Sequence, residues 1–197
     1  NEANKAAVEI NGGEIQAVAF AVAGNGSADY TETVITGGRL ESTEGNVIYH
    51  PQVGDLTIKG DSLVTISALT TNELTTISAA ESTGGVIITP TLGTNVAFTG
   101  SSAADAITLG GSIAAAGSLK MGEGDDTVTV DVLQTTTKAG AIDGGAGDND
   151  KLIFTDSTYV ADLAHGAVFT GFEVLEVSAS ADKVFDTSLI AGIKSYG

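Results

Sequence analysis

From about Asp55 onward the apolar residues gather in short peaks: Ile58, Ile66, Ile77, Ile87, Phe98, Ile107, Leu119, Val128, Ile142 and Ile153. Neighbouring peaks lie 8 to 14 residues apart. Each is only a few residues long and rich in β-branched side chains, which reads as a short strand followed by a turn. Local copies are visible, since VTISA at 64–68 returns as TTISA at 75–79. Two strands per coil give a coil of roughly 20 residues, the period of a stacked solenoid. A β-sandwich competes, because its strands also recur every ~8–12 residues.

The flanks are less regular. Residues 14–23 (EIQAVAFAVA) fit a buried strand or a short helix, and glycines at 12–13 and at 24 and 26 cut the run short. Residues 31–35 and 46–49 read as strands. Past Phe154 the period breaks. Residues 159–167 suggest a short helix, and residues 169–178 (FTGFEVLEVS) one alternating strand carrying Phe172 and Val174 with Glu173 and Glu176 between. Residues 184–193 supply apolar bulk that could close an open solenoid end, which otherwise exposes unpaired backbone. The expected division is 1–54 as a β-rich N-terminal subdomain or cap, 55–156 as solenoid, and 157–197 as a C-terminal capping segment.

Composition narrows the function classes. Eight Lys and Arg face 25 Asp and Glu, for a net charge of −17. Such a surface disfavours nucleic acid and anionic membranes, which need basic patches, and suits recruitment of cations. No apolar run reaches the ~18 residues of a membrane helix, so no membrane insertion is expected. There is no cysteine, which is compatible with export in an unfolded form. The chain starts at Asn1 without a signal-peptide pattern, which reads as a segment of a longer protein. Threonine flanks many apolar peaks, but its rows are too irregular to suggest ice binding.

Two glycine-aspartate loops carry the candidate chemistry. The first is MGEGDDTVTV at 121–130 and the second GGAGDNDKLI at 144–153. Both fit the nonapeptide G-G-x-G-x-D-x-U-x, with U a large apolar residue. Glycine lets the loop curl and turn its carbonyls inward. Aspartate adds a charged oxygen, and the apolar residue two places on starts a strand. Calcium needs six to eight such oxygens, so stacked loops must share an ion. Residues 100–109 (GSSAADAITL) read as a decayed copy. The carboxylate candidates are Asp105, Asp126 and either Asp148 or Asp150, with Asp125 beside them. Carbonyls are expected from Gly122, Gly124, Gly145 and Gly147. Met121 replaces the first glycine of one loop, and the other has one extra residue. Alike acidic loops one coil apart favour the solenoid, since a sandwich gives no reason for that spacing. The expectation is therefore an all-β fold, a parallel β-roll or β-helix solenoid with calcium-binding loops, capped at its C-terminal end.

No catalytic set accompanies these loops. HExxH and GxSxG are missing, and the two histidines, His50 and His165, each sit beside a turn former. Asp125 and Asp126 could pair for glycosidase work, but among glycines at this spacing a ligand role is simpler. The expectation is that the chain is not an enzyme.

The run TTISAAESTGGVIIT, NVAFTGSSAADAITLG, MGEGDDTVTVD, IDGGAGDNDKLIF, FTGFEVLEVS and FDTSLIAGI resembles the calcium-binding segments of the repeats-in-toxin (RTX) family, over about residues 56–197. Within it the chain is most similar to bacterial surface-layer (S-layer) proteins exported by type I secretion. The resemblance implies Ca2+ as cofactor, folding outside the cell, a cell-surface location and self-assembly into a two-dimensional lattice. Attachment to cell-surface polysaccharide would go through another domain. The same family also holds adhesins, and secreted enzymes whose catalytic domain would lie elsewhere. Asp131, Asp156, Glu173 and Glu176 are candidates for bridging between copies. Departures at Met121, around Asp148–Asp150, and at positions 101 and 103 bear on the first and last sites.

Overall fold

A computed structural model describes residues 7–11, 14–17, 22–23, 32–36, 39–42, 48–49, 55–66, 69–70, 74–131, 134, 138–155, 163–178 and 186–196. The chain winds as a parallel β-solenoid. Its first coils contribute β1 (Ala7–Asn11), β2 (Glu14–Ala17), β3 (Val22–Ala23), β4 (Glu32–Thr36), β5 (Arg39–Ser42), β6 (Ile48–Tyr49), β7 (Asp55–Gly60), β8 (Val64–Ile66) and β9 (Leu69–Thr70). Next come two strands per coil: β10 (Thr76–Ser82) with β11 (Val86–Leu92), β12 (Ala97–Thr99) with β13 (Ala106–Leu109), and β14 (Ser118–Lys120) with β15 (Thr127–Val130). They are followed by β16 (Ile142–Asp143) with β17 (Lys151–Phe154), a one-turn helix α1 (Leu163–Gly166), β18 (Phe169–Thr170) with β19 (Val174–Val177), and β20 (Ser195–Tyr196).

Two long sheets result. One runs β1-β4-β7-β10-β12-β14-β16-β18, the other β2-β5-β8-β11-β13-β15-β17-β19-β20, and β3-β6-β9 form a short third sheet. Pairing is parallel throughout these ladders, so each strand lies on the corresponding strand of the coil before it. Both long sheets continue across residue 54, because β4 pairs with β7 over Glu32–Thr36 and β5 meets β8 at Leu40 and Ile66. Residues 14–17 and 22–23 are strand.

In strands such as β8, β13, β15 and β17 the period-2 alternation sends every second residue inward. Stacking then lines up like with like. Ile66, Ile88, Ile107, Val128, Leu152 and Leu175 form one row of the core, each beside the next. Leu56, Ile77, Phe98, Leu119, Ile142 and Phe169 form the facing row. All twelve are buried. Phe154 meets Phe169 edge-on, ring centres 5.2 Å apart at 87°. This core, repeated coil by coil, is the main source of stability, at about 25 cal/mol per Å² of apolar surface buried.

Three details differ from the sequence reading. Ile87 and Ile153 are peaks of hydrophobicity, yet they are only half-buried, and the inward positions belong to Ile88, Leu152 and Phe154. The rows explain this: a shift by one residue would turn every side chain to the opposite face. Residues 169–178 are two strands rather than one. Gly171, at φ 70°, turns a corner between β18 in one sheet and β19 in the other, and Val174 comes out half-buried beside the buried Leu175. The helix expected over 159–167 is seen at Leu163–Gly166 alone, with 156–162 outside the described residues.

The corner between the two long sheets positions the site. It takes residues 61–63, 83–85 and 171–173 in three coils, but 100–105, 121–126 and 144–150 in the three between 83–85 and 171–173. The lengthened corners are the glycine-aspartate loops and their decayed copy.

Candidate metal centre

The last residue of each corner stands just before the second strand of its coil. In chain order Asp105, Asp126, Asp150 and Glu173 take this place, and Val86 is their counterpart one coil earlier, as the bonds between them show. The Val86 N–H donates to Asp105 Oδ1 at 2.6 Å, the Asp105 N–H to Asp126 Oδ1 at 2.7 Å, the Asp126 N–H to Asp150 Oδ1 at 2.9 Å, and the Asp150 N–H to Glu173 Oε2 at 3.2 Å. Each acid thus caps the strand start of the coil before it, and four acids form one column. Three of the four come from lengthened corners, and Glu173, with its longer side chain, from the three-residue corner 171–173.

The column is buried. Asp105 is 2% exposed, and Asp126 and Asp150 are 0% exposed. Their second oxygens differ in a way that matters. Asp105 Oδ2 accepts the Ser101 N–H at 2.7 Å, while the Ser101 hydroxyl donates to Oδ1 at 2.9 Å. Asp126 Oδ2 and Asp150 Oδ2 have no hydrogen-bond partner. A buried carboxylate oxygen without a partner costs about 1–3 kcal/mol, and more when charged. Burial is also the first cause of the raised pKa of all three aspartates. It pushes Asp126 up to about 7, against the N–H bond from Asp105, helped by the charges of Asp105, Asp150 and Asp125. For Asp105 burial outweighs the bonds from Ser101 and Val86. For Asp150 it outweighs the Asp126 N–H, with the charges of Glu173, Asp125 and Asp143 adding to it. A proton or a cation beside Oδ2 removes the cost.

The glycines let the corners stack this closely. Gly145 has φ 100°, and a Cβ there would run into the carbonyl oxygen of Gly122 on the preceding coil. A Cβ on Gly147 would strike the Gly124 carbonyl and come within 2.7 and 2.9 Å of the two carboxylate oxygens of Asp150. The Asp150 carboxylate can lie this close to the corner because residue 147 has no side chain. Backbone bonds tie the corners together: Ala146 N–H to Gly122 O at 2.7 Å, Gly124 N–H to Ala146 O at 3.2 Å and Glu123 N–H to Ser101 O at 3.1 Å.

The expected site residues fall into two groups. Asp105, Asp126 and Asp150 lie in the column, with Gly122, Gly124, Gly145 and Gly147 in the stacked corners around it. Of the two alternatives in the longer loop, Asp150 takes the inward place. Asp125 and Asp148 are exposed and line a shallow hollow with Gly124, Ala146 and Gly147, where Asn149 Nδ2 donates to Asp125 Oδ2 at 3.3 Å. Met121 is fully buried and joins the core.

The sequence reading missed Glu173 as part of the column and Ser101 as its partner. Glu173 is by sequence a candidate for bridging between copies, but its side chain is only 15% exposed and points along the acids. The signal was present: acid-x-apolar recurs as Asp105-Ala-Ile107, Asp126-Thr-Val128, Asp150-Lys-Leu152 and Glu173-Val-Leu175. Glu176 sits 3.6 Å from Lys151 Nζ, Asp131 is exposed, and Asp156 and His50 lie outside the described residues.

Chemically, the arrangement offers hard, anionic oxygens in a dry corner. Among the described residues no group of three or more His, Cys, Asp or Glu converges as a ready-made cage, so a bound ion would draw most of its oxygens from corner carbonyls. No helix among the described residues is long and apolar enough to cross a membrane. Comparison with protein-family models, with curated proteins and with solved structures finds no match.

Proposed function

We propose that this chain is a structural module that folds on calcium and assembles into a protein layer on the outside of a bacterial cell. The observation that carries the calcium part is the pair of buried, unpartnered oxygens, Asp126 Oδ2 and Asp150 Oδ2. A neutral interior has no use for two such atoms one coil apart. Calcium, a hard cation that accepts carboxylate and carbonyl oxygens, fits the donor set. Asp126 and Asp150 would hold it with carbonyls of corners 121–126 and 144–150, and Asp125 and Asp148 would add negative charge from the outer hollow. The ion supplies the positive charge that the buried acids lack. Without it the corners repel one another and the coils they join are loosened.

The layer reading is supported by the resemblance to surface-layer proteins and by charge. At −17, copies of the chain cannot lie side by side without screening. Divalent cations bring that screening, so one ion species serves both folding and association. Such a role is structural and extracellular, and involves no catalysis.

A single calcium titration tests both parts. Circular dichroism should report ordering first, in the ~0.1–1 mM range usual for extracellular modules. Sedimentation and electron microscopy should then report sheets as calcium rises further. A spectrum in chelator identical to that in calcium would refute the folding role. A chain that orders with calcium yet stays monomeric above saturation would refute the layer and leave a calcium-stiffened adhesin segment.

A further inference from the structure

The four acids of the column are not equivalent, and the difference narrows the calcium reading on which this inference rests. At the N-terminal end both oxygens of Asp105 are closed by protein: Val86 N–H and the Ser101 hydroxyl on Oδ1, Ser101 N–H on Oδ2. At the C-terminal end Glu173 Oε2 takes the Asp150 N–H, and Oε1 lies 3.8 Å from Lys194 Nζ. Lys194 is held over Glu173 by its own N–H, which donates to the Glu173 carbonyl at 2.7 Å. Only Asp126 and Asp150, between these ends, keep a buried oxygen with no partner.

We propose that cations are held at Asp126 and Asp150 alone, and that Ser101 and Lys194 stand in for a cation at the two ends of the column.

The corner sequences follow the same division. Ser101 stacks on Gly122, whose φ is 107° and whose missing Cβ would strike the Ser101 carbonyl. Ala103 likewise lies against Gly124, and Gly124 against Gly147. The glycines are kept where the carboxylate is open, and are replaced by Ser and Ala where the Ser101 N–H closes Oδ2 and its hydroxyl adds to Oδ1. The Val86 and Ser101 N–H groups are fixed donors, and the Ser101 hydroxyl is shared at 2.9 Å between Asp105 Oδ1 and the Ala103 carbonyl, so the corner 100–105 needs no ion to satisfy Asp105. Lys194 is largely exposed. It neutralises the last acid without sealing it, as a surface ammonium does at modest energy. The column is thus a cation site with fixed ends, and it cannot lengthen by recruiting ions coil after coil.

The test compares ion uptake by Asp105→Asn, Glu173→Gln, Asp126→Asn and Asp150→Asn, using native mass spectrometry and calorimetric titration with calcium. The end variants should keep the wild-type number of ions, with affinity within about threefold. Either central variant should lose an ion or bind about tenfold or more weakly. Loss of an ion from Asp105→Asn or Glu173→Gln overturns the proposal. Because an asparagine at 105 could loosen its coil, Ser101→Ala provides a second measure. It should lower the melting midpoint in chelator and leave the ion count unchanged; an unchanged midpoint overturns the stand-in role of Ser101. A wild-type chain that takes up no calcium at millimolar concentration defeats the calcium reading itself, which is distinguishable from ions seated at the wrong acids.

Discussion

The N–H of Asp126 donates to Oδ1 of Asp150, 24 residues later, at 2.9 Å. One carboxylate oxygen is thereby committed to joining two coils, and the other is buried with nothing to accept from. The same side chain is a structural strut on one side and an unpartnered acceptor on the other. Replacing Asp150 by Asn should separate the two roles. The amide oxygen can keep the strut, but the charge is gone. At 100 times its dissociation constant calcium stabilises a one-site protein by about 2.7 kcal/mol, and each kcal/mol moves the midpoint of a chain this long by about 2–4 °C. The wild type should show that rise in thermal melts and Asp150→Asn should lose most of it. An equal rise in both would remove Asp150 from the site.

The pH dependence without metal has a definite sign. Burial raises the pKa of Asp126 to about 7 and lifts those of Asp105 and Asp150 above the usual carboxylate value of 3.8. The folded chain therefore binds more protons than the unfolded one between about pH 4 and pH 7. Their contribution is fully present below the unfolded pKa and is lost as pH rises through the folded values. In chelator, the midpoint should fall between pH 5 and pH 8. Calcium competes with those protons, so in millimolar calcium the fall should shrink or reverse. Melting curves at both pH values, with and without chelator, decide it.

Gly147→Ala should be costly out of proportion to one methyl group. The added carbon meets the Gly124 carbonyl, which is backbone and cannot swing away, and crowds both oxygens of Asp150. A loss of about 2 kcal/mol or more is expected, together with weaker calcium binding. Chemical denaturation and a calcium titration of the variant measure the two effects. A neutral result would mean that the corners stack less closely than described.

Adjacent positions 152 and 153 test the register. Leu152 is fully buried in the row between Val128 and Leu175, while Ile153 is half-buried on the outer face. Leu152→Ala should cost about 2–5 kcal/mol, and Ile153→Ala well under half as much. Denaturant midpoints of the pair are sufficient. The reverse order would place the strand one residue out.

Much of this architecture was legible in the sequence, because a solenoid repeats its instructions. The peaks at Ile66, Phe98, Leu119, Val128 and Ile142 are core residues, and the loops at 100, 121 and 144 do stack once per coil. What the pattern could not settle was local and steric. Ile87 and Ile88 are equally apolar, and only the row through Ile66 and Ile107 decides which turns inward. Phe172-Glu173-Val174 looked like continuous alternation because Gly171 gives no hydrophobic signal of the corner it makes. Asp148 and Asp150 were indistinguishable until the extra residue of their loop was absorbed outside the column. Ser101 reads as a decayed glycine, and nothing in the sequence signals that it bonds both carboxylate oxygens of Asp105.

The change in corner length along the chain has a further consequence. In a linear array each coil is held only by its neighbours, so local losses do not spread at once to the whole. The coils with three-residue corners at 61–63 and 83–85 begin their second strands with the buried Val64 and Val86 and place no acid there for an ion to satisfy. On the calcium reading proposed above, those built on 121–126 and 144–150 respond to the medium. Removing divalent ions should therefore leave a block up to about residue 109 protected against amide exchange while the coils after it fray. The chain would behave as a zipper with one permanently closed half and one whose teeth engage only in the right water.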